Sequence, residues 1–323
     1  MTRRWVAIVG ALVLVVAAAG VTAFVLRDRG ATTIDREPGG SVGLTLLIVH
    51  SPSGPFGAVV GSTGKTPGAL ALPPEIQVTI PGQGEATLAQ ALELPPRQAA
   101  TTAANVLGVW VEHYGVIGPD RLRAVVDEAG GITVGTEEMS GRDVIESLID
   151  VPTAGTAAFA VTLTGLLSTD VEWSPADFVD ADEPAAVIRT LEAARGAAVT
   201  SVPSVEAATG IYQAEPDAIR ASLVDAFGGP DRDAVRVIVL NGSGLPGVGQ
   251  LVAERIVPSG FRIVVSENAS SFEHDQTLVV VGSPADVELG ERVRDLLGTG
   301  TVNVSVSSGL APVTVLVGKD FTG

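Results

Sequence analysis

The sequence predicts an α/β protein: one apolar segment near the N-terminus, a larger α/β domain, and a smaller C-terminal α/β domain. Three observations predict it. Trp5–Leu26 carries no charge and exceeds the ~20 residues that a helix needs to cross a bilayer core. Behind it, short Val-, Leu- and Ile-rich runs alternate with stretches whose apolar residues recur every three or four positions. From Ala234 onward that alternation becomes regular, in the order β-α-β-β-α-β-β. The expected units are a membrane segment at 5–26, a linker at 28–43, a domain at 44–228 and a domain at 234–321.

Trp5–Leu26 reads as a signal anchor, or as a cleaved signal peptide cut near residues 17–23. Its length and the arginines that follow it favour the anchor, because secretory apolar cores usually run to ~7–15 residues. Arg3 and Arg4 precede it, whereas Asp28 lies between Arg27 and Arg29 behind it. This places the N-terminus in the cytoplasm and the body outside, as a single-pass membrane protein. Residues 28–43 are polar with Gly and Pro, and read as a tether.

The net charge is −17, and the acidity lies in the body. Such a body repels phosphate backbones, so nucleic acid is not expected as a partner. The absence of cysteine excludes disulfides and thiol chemistry.

Leu44–Val49 reads as a strand, and residues 57–72 as strand, turn, strand. The tip Gly64-Lys65-Thr66 resembles the end of a phosphate loop. However, Val59 stands where that loop needs glycine and no helix pattern follows, so the hairpin is preferred. Residues 75–84 read as a strand, Pro96–Leu107 as a helix stopped by Gly108, and 109–117 as a strand. Pro119 opens a helix whose Leu122, Val125, Val126 and Ala129 form one stripe; Gly130-Gly131 end it, and a strand starts at Ile132. Helices are expected near 141–150, 183–195 and 215–227, with a strand in 198–205 and loops between them. In the last domain, strands fall at 235–240, 261–267, 277–282, 302–306 and 313–318, with helices at 248–257 and 285–297.

Chemistry-bearing residues are sparse. His50, His113 and His274 lack metal-ligand spacing, and Ser51 lacks a nucleophile-elbow context, so no catalytic residue, metal or cofactor is expected. Arg97, Arg121, Arg123 and Arg142 could line an anion pocket, although surface arginines are the ordinary case. The loop Asn241-Gly242-Ser243-Gly244 joins a strand to a helix, where free amides could hold an anion or a glycan hydroxyl; alternatively it is a tight turn needing glycine dihedrals.

VIVLNGSGLPGVGQLVAERI, GFRIVVSENA, TLVVVG and VTVLVGKD resemble the LytR C-terminal domain of bacterial envelope proteins, over Val235–Asp320. NVLGVWVEHYGVIGPDRLRAVVDEAGGITV, at 105–134, resembles the LytR-CpsA-Psr domain, with Asp127, Gly130 and Gly131 at its signature positions. That resemblance implies a central mixed sheet. It also implies transfer of glycopolymer from polyprenyl pyrophosphate to peptidoglycan, with magnesium and a set of arginines. The chain departs from the pattern where the chemistry would lie. Pro74 and Glu75 replace the arginine and aspartate after the hairpin, and residues 50–56 hold no acid or arginine. Pyrophosphate recognition depends on such charge-assisted contacts.

The expected function is therefore a non-catalytic binding or scaffold role in attaching cell-wall glycopolymer. Membrane, wall polymer or polymer-attachment enzymes would be its partners. The alternative is an active phosphotransferase using Glu75 with Arg97, Arg121 or Arg142 brought into one cleft.

Overall fold

The computed structural model describes residues 43–62, 66–134, 136–149, 155–228, 233–305 and 309–322. The expected membrane segment at 5–26, nearly all of the tether and the hairpin tip at 63–65 lie outside these residues. Among the described residues, no helix is long and apolar enough to cross a membrane.

The strands are β1 (Leu44–Ser51), β2 (Gly54–Ser62), β3 (Pro67–Leu72), β4 (Gln77–Ile80), β5 (Gly84–Thr87), β6 (His113–Ile117), β7 (Ile132–Val134), β8 (Glu137–Met139), β9 (Asp180–Ala181), β10 (Val199–Ser201), β11 (Val205–Ala208) and β12 (Ile211–Gln213). They are followed by β13 (Val235–Asn241), β14 (Phe261–Asn268), β15 (Leu278–Val281), β16 (Thr301–Val304) and β17 (Val313–Val317). A mixed six-stranded sheet runs β10-β3-β2-β1-β6-β9, and a mixed five-stranded sheet runs β14-β13-β17-β15-β16.

The continuous apolar runs of β1 to β3 follow from burial on both faces of the larger sheet. Leu47, Val49, Ala58 and Val60 face the helices Pro119–Glu128, Gly141–Ser147, Gly155–Ser168 and Pro184–Ala193. Leu44, Leu46, Ile48 and Val59 face the helices Leu88–Leu92, Pro96–Leu107 and Pro216–Phe227. That second core does not stop at the domain boundary. It runs through helix Pro96–Leu107 into Val237, Val239, Phe261 and Ile263 of the smaller sheet.

Helix Pro96–Leu107 is therefore the element between the two sheets. Every residue from Ala99 to Leu107 is buried. Its alanines and threonines let two layers approach one helix closely. Asn105, 2% exposed, acts as a surrogate strand. Its Oδ1 accepts from the Ile263 amide at 2.7 Å, and its Nδ2 donates to the Ile263 carbonyl at 2.9 Å. Because β14 is an edge strand, these bonds cap groups that would otherwise invite another chain. Thr79 donates to the Val264 carbonyl at 3.2 Å, the Gly82 amide to Ser266 Oγ at 2.7 Å, and Gln250 to Thr101 at 2.8 Å. Val264 is the extra residue of a β-bulge between Val237 and Ile238, and the bulge turns its carbonyl out to meet Thr79.

Most expected elements form near their expected bounds. The strand expected from Val109 begins only at His113. Helix Gly155–Ser168 was expected as loop. Its β-branched threonines and glycines hide the helical pattern, but burial of Phe159, Leu163, Leu166 and Leu167 stabilises it. The short hairpins β4–β5 and β11–β12 close where the sequence shows one strand or none.

Candidate functional site

Helix Pro119–Glu128 and the turn after it hold the signature residues, and their roles here are structural. Asp127 Oδ1 accepts from the Gly141 amide at 2.8 Å, joining this helix to the start of helix Gly141–Ser147. Gly130 and Gly131 have φ of 81° and 99°, the left-handed values that let the chain leave the helix and enter β7.

The four candidate arginines are each engaged locally. Arg97 pairs with Asp182, donates to the Glu112 carbonyl at 3.0 Å and lies 5.3 Å from the centre of the Tyr114 ring. Burial, then Asp180 and Asp182, raise the Tyr114 phenol above its ordinary value, and Arg97 partly opposes them. Arg121 grips the buried carboxylate of Asp177 through Nε and Nη2, which raises its own pKa. Arg123 pairs with Asp120 at 3.5 Å. Arg142 pairs with Glu146 at 2.7 Å, and that hydrogen bond raises its pKa. Arg97 lies at the His113 end of β6, while Arg121 lies past its Ile117 end. Arg121, Arg123 and Arg142 share the neighbourhood of two packed helices, yet each faces a different acid.

Among the described residues, Glu75 forms no ion pair with any of the four. Its Oε1 accepts from the Ser204 hydroxyl at 2.7 Å, and its buried Oε2 has no hydrogen-bond partner. The residues present do not fit a magnesium site: among the described residues, no three His, Cys, Asp or Glu side chains gather where they could hold a metal. His113 stands 3.7 Å from Asp182 and 3.6 Å from Glu183, and His274 packs over Gly242. Ser51 donates to the Gly54 carbonyl at 2.9 Å. It lies six strand positions along β1 from the residue paired with His113, roughly 20 Å away at strand rise.

The loop at 241–244 is organised around Asn241. Its Oδ1 accepts from the Ser243 amide at 3.1 Å, the Ser243 hydroxyl at 2.9 Å and the Gly244 amide at 3.1 Å, and its Nδ2 donates to the Leu245 carbonyl at 2.9 Å. Two amides that the sequence offered to a ligand are therefore already satisfied within the loop. Gly244 has φ of 75°, and a Cβ on Gly242 would meet His274 at 2.7 Å. The tight-turn alternative accounts for these contacts.

Beside this loop lies a cleft of about 440 Å³, at the carboxyl ends of the parallel strands β13 and β14. In open α/β sheets that is the usual place for a ligand. The β4–β5 turn supplies Gly82 and Gln83 to its wall, so both halves of the chain line it. Leu245 and Phe272 present apolar surface at 51% and 47% exposure, and Gln83, Asn241, Ser266, Glu267 and Asn268 are the polar side chains of its wall. Among the described residues, no cationic side chain lines it. An exposed ring beside amides and a carboxylate suits a neutral, hydroxyl-rich ligand better than an anion. Sequence reasoning reached the loop but missed Gln83 and Phe272, which arrive from distant segments.

Residues 234–321 match the profile of a family described as LytR cell envelope-related transcriptional attenuator. The C-terminal resemblance is thus supported over the expected domain. No curated protein matches the chain. Among solved structures, the chain is similar to a LytR-Csp2A-Psr enzyme from Actinomyces oris, at 14% identity and TM-score 0.45, covering 58% of this chain and 90% of that one. A transcriptional regulator from Enterococcus faecalis aligns at 14% and 0.44, covering 59% and 89%. The family protein YwtF (TagT) of Bacillus subtilis, solved with octaprenyl pyrophosphate lipid bound, aligns at 15% and 0.43, covering 61% and 95%. Likeness of this order fixes neither ligand nor activity.

Proposed function

We propose that this chain is a membrane-tethered protein of the cell envelope, with its body outside the membrane, that binds or scaffolds in the attachment of wall glycopolymer without catalysing the transfer. The observation that carries this is the state of the arginines. A pyrophosphate needs converging, uncommitted guanidinium groups. Here Arg97, Arg121, Arg123 and Arg142 each have a carboxylate of their own. The family match at 234–321 supports the envelope setting. The cleft between Phe272 and the β4–β5 turn is where a neutral saccharide of such a polymer would sit.

The test is calorimetric titration of the full chain, in detergent, with a polyprenyl pyrophosphate and magnesium. The expected result is no saturable, magnesium-dependent heat. Saturable binding would overturn the non-catalytic role and favour the alternative, a phosphotransferase built on Glu75 and these arginines.

A further inference from the structure

The seam between the two halves holds an arginine that no described residue neutralises. Arg262 lies on edge strand β14, directly opposite Arg236 on β13 in the parallel register. Their neighbours Val237, Phe261 and Ile263 point into the shared core, so both arginines project from the other face of the sheet. Like charges placed opposite one another on adjacent strands destabilise a sheet. Neither guanidinium has an ion pair, hydrogen bond or ring contact among the described residues, and Arg262 is half-buried. Asp233 attracts Arg262 only from beyond ion-pairing distance, and its carboxylate is held by Arg220 at 2.9 Å. Burial, and then Arg236, pull the Arg262 guanidinium below its ordinary value. In a body this acidic, the other half-buried arginines have found a partner. A desolvated charge without one is costly to keep.

Arg262 lines a cleft of about 110 Å³, whose other walls include Gln77, Thr79 and Asn105 from the upstream half and Ala214 and Ile219. At roughly 30 Å³ of liquid volume per water, this space admits three or four waters or one small oxyanion. We propose that Arg262, with Arg236 beside it, is a binding site for one phosphate group at the seam, free or as part of a larger molecule. The Arg262 fork lines the cleft and matches two oxygens of a tetrahedral oxyanion, while Arg236, on the same face but outside the cleft lining, adds positive charge. This site is separate from the Phe272 cleft, and it stands or falls independently of any lipid chemistry.

The test titrates the full chain in detergent with inorganic phosphate at constant ionic strength, followed by phosphorus NMR line width and by calorimetry. Dimethyl phosphate is a second arm, to distinguish free phosphate from a diester. Saturable binding is expected in at least one arm. It should weaken at least ~10-fold in Arg262→Lys, which loses the fork, and vanish in Arg262→Leu. Arg236→Gln should weaken it less. In phosphate-free buffer Arg262→Leu should unfold at the wild-type midpoint or above, because it removes a desolvated charge. No saturable binding in either arm would overturn the site, as would unchanged binding in Arg262→Leu. If that variant fails to fold, Arg262→Lys and Arg236→Gln decide: binding at wild-type strength in both would overturn the proposal.

Discussion

Helices Pro96–Leu107 and Pro119–Glu128 are close in length, both open with proline, and have opposite surroundings. The second buries one stripe, Leu122, Val125 and Val126, and leaves its charges in water apart from Arg121, which reaches the buried Asp177. The first is buried along nine consecutive residues, although it offers only two large apolar side chains, Val106 and Leu107. An amphipathic stripe reports one packed face. A helix held between two sheets instead needs small residues and a polar group that can satisfy a neighbouring backbone. Asn105 is that group, and the difference between the helices is the difference between a surface layer and a seam.

The largest effect should come from breaking the seam. Asn105→Ala strips the Ile263 amide and carbonyl of their partners in a buried site. Each unsatisfied group costs ~1–3 kcal/mol, so a loss of about 3 kcal/mol is expected in denaturant unfolding. A loss below ~1 kcal/mol would show that water replaces the side chain and that the seam is loose.

A second contrast concerns pH, at the far end of the smaller sheet. Burial alone would raise the Asp320 carboxyl, but hydrogen bonds from Thr277 and Thr299 outweigh it and hold the group below its ordinary 3.8. A depressed folded pKa contributes stability above the unfolded value and loses it as pH falls through the folded one. Stability should therefore fall below pH 3.8, and Asp320→Asn should flatten that acid limb. An unchanged limb in the variant would assign the loss to other carboxylates.

The smallest effect belongs to the surface helix. Arg123, 54% exposed, pairs with a 96% exposed Asp120, so Arg123→Ala should cost under ~0.5 kcal/mol. A loss comparable with that of Asn105→Ala would erase the distinction between layer and seam.

Much of the fold could be read along the chain. The apolar runs of β1 to β3 and β13 to β17, the stripe on Pro119–Glu128, and Gly108 and Gly130 as stops all express local periodicity and dihedral preference. The C-terminal domain was legible for the same reason, since its strands and helices alternate at short range. What could not be read were pairings between remote residues. Arg97 with Asp182, Arg121 with Asp177 and Asn105 with Ile263 join positions 85, 56 and 158 residues apart. No periodicity encodes which acid will neutralise which arginine. As residue types, Arg97, Arg121, Arg123 and Arg142 are the same whether committed or free. Only the folded chain, by bringing carboxylates to those four and, among the described residues, none within ion-pairing reach of Arg262, separates arginines held by an acid from those that are not.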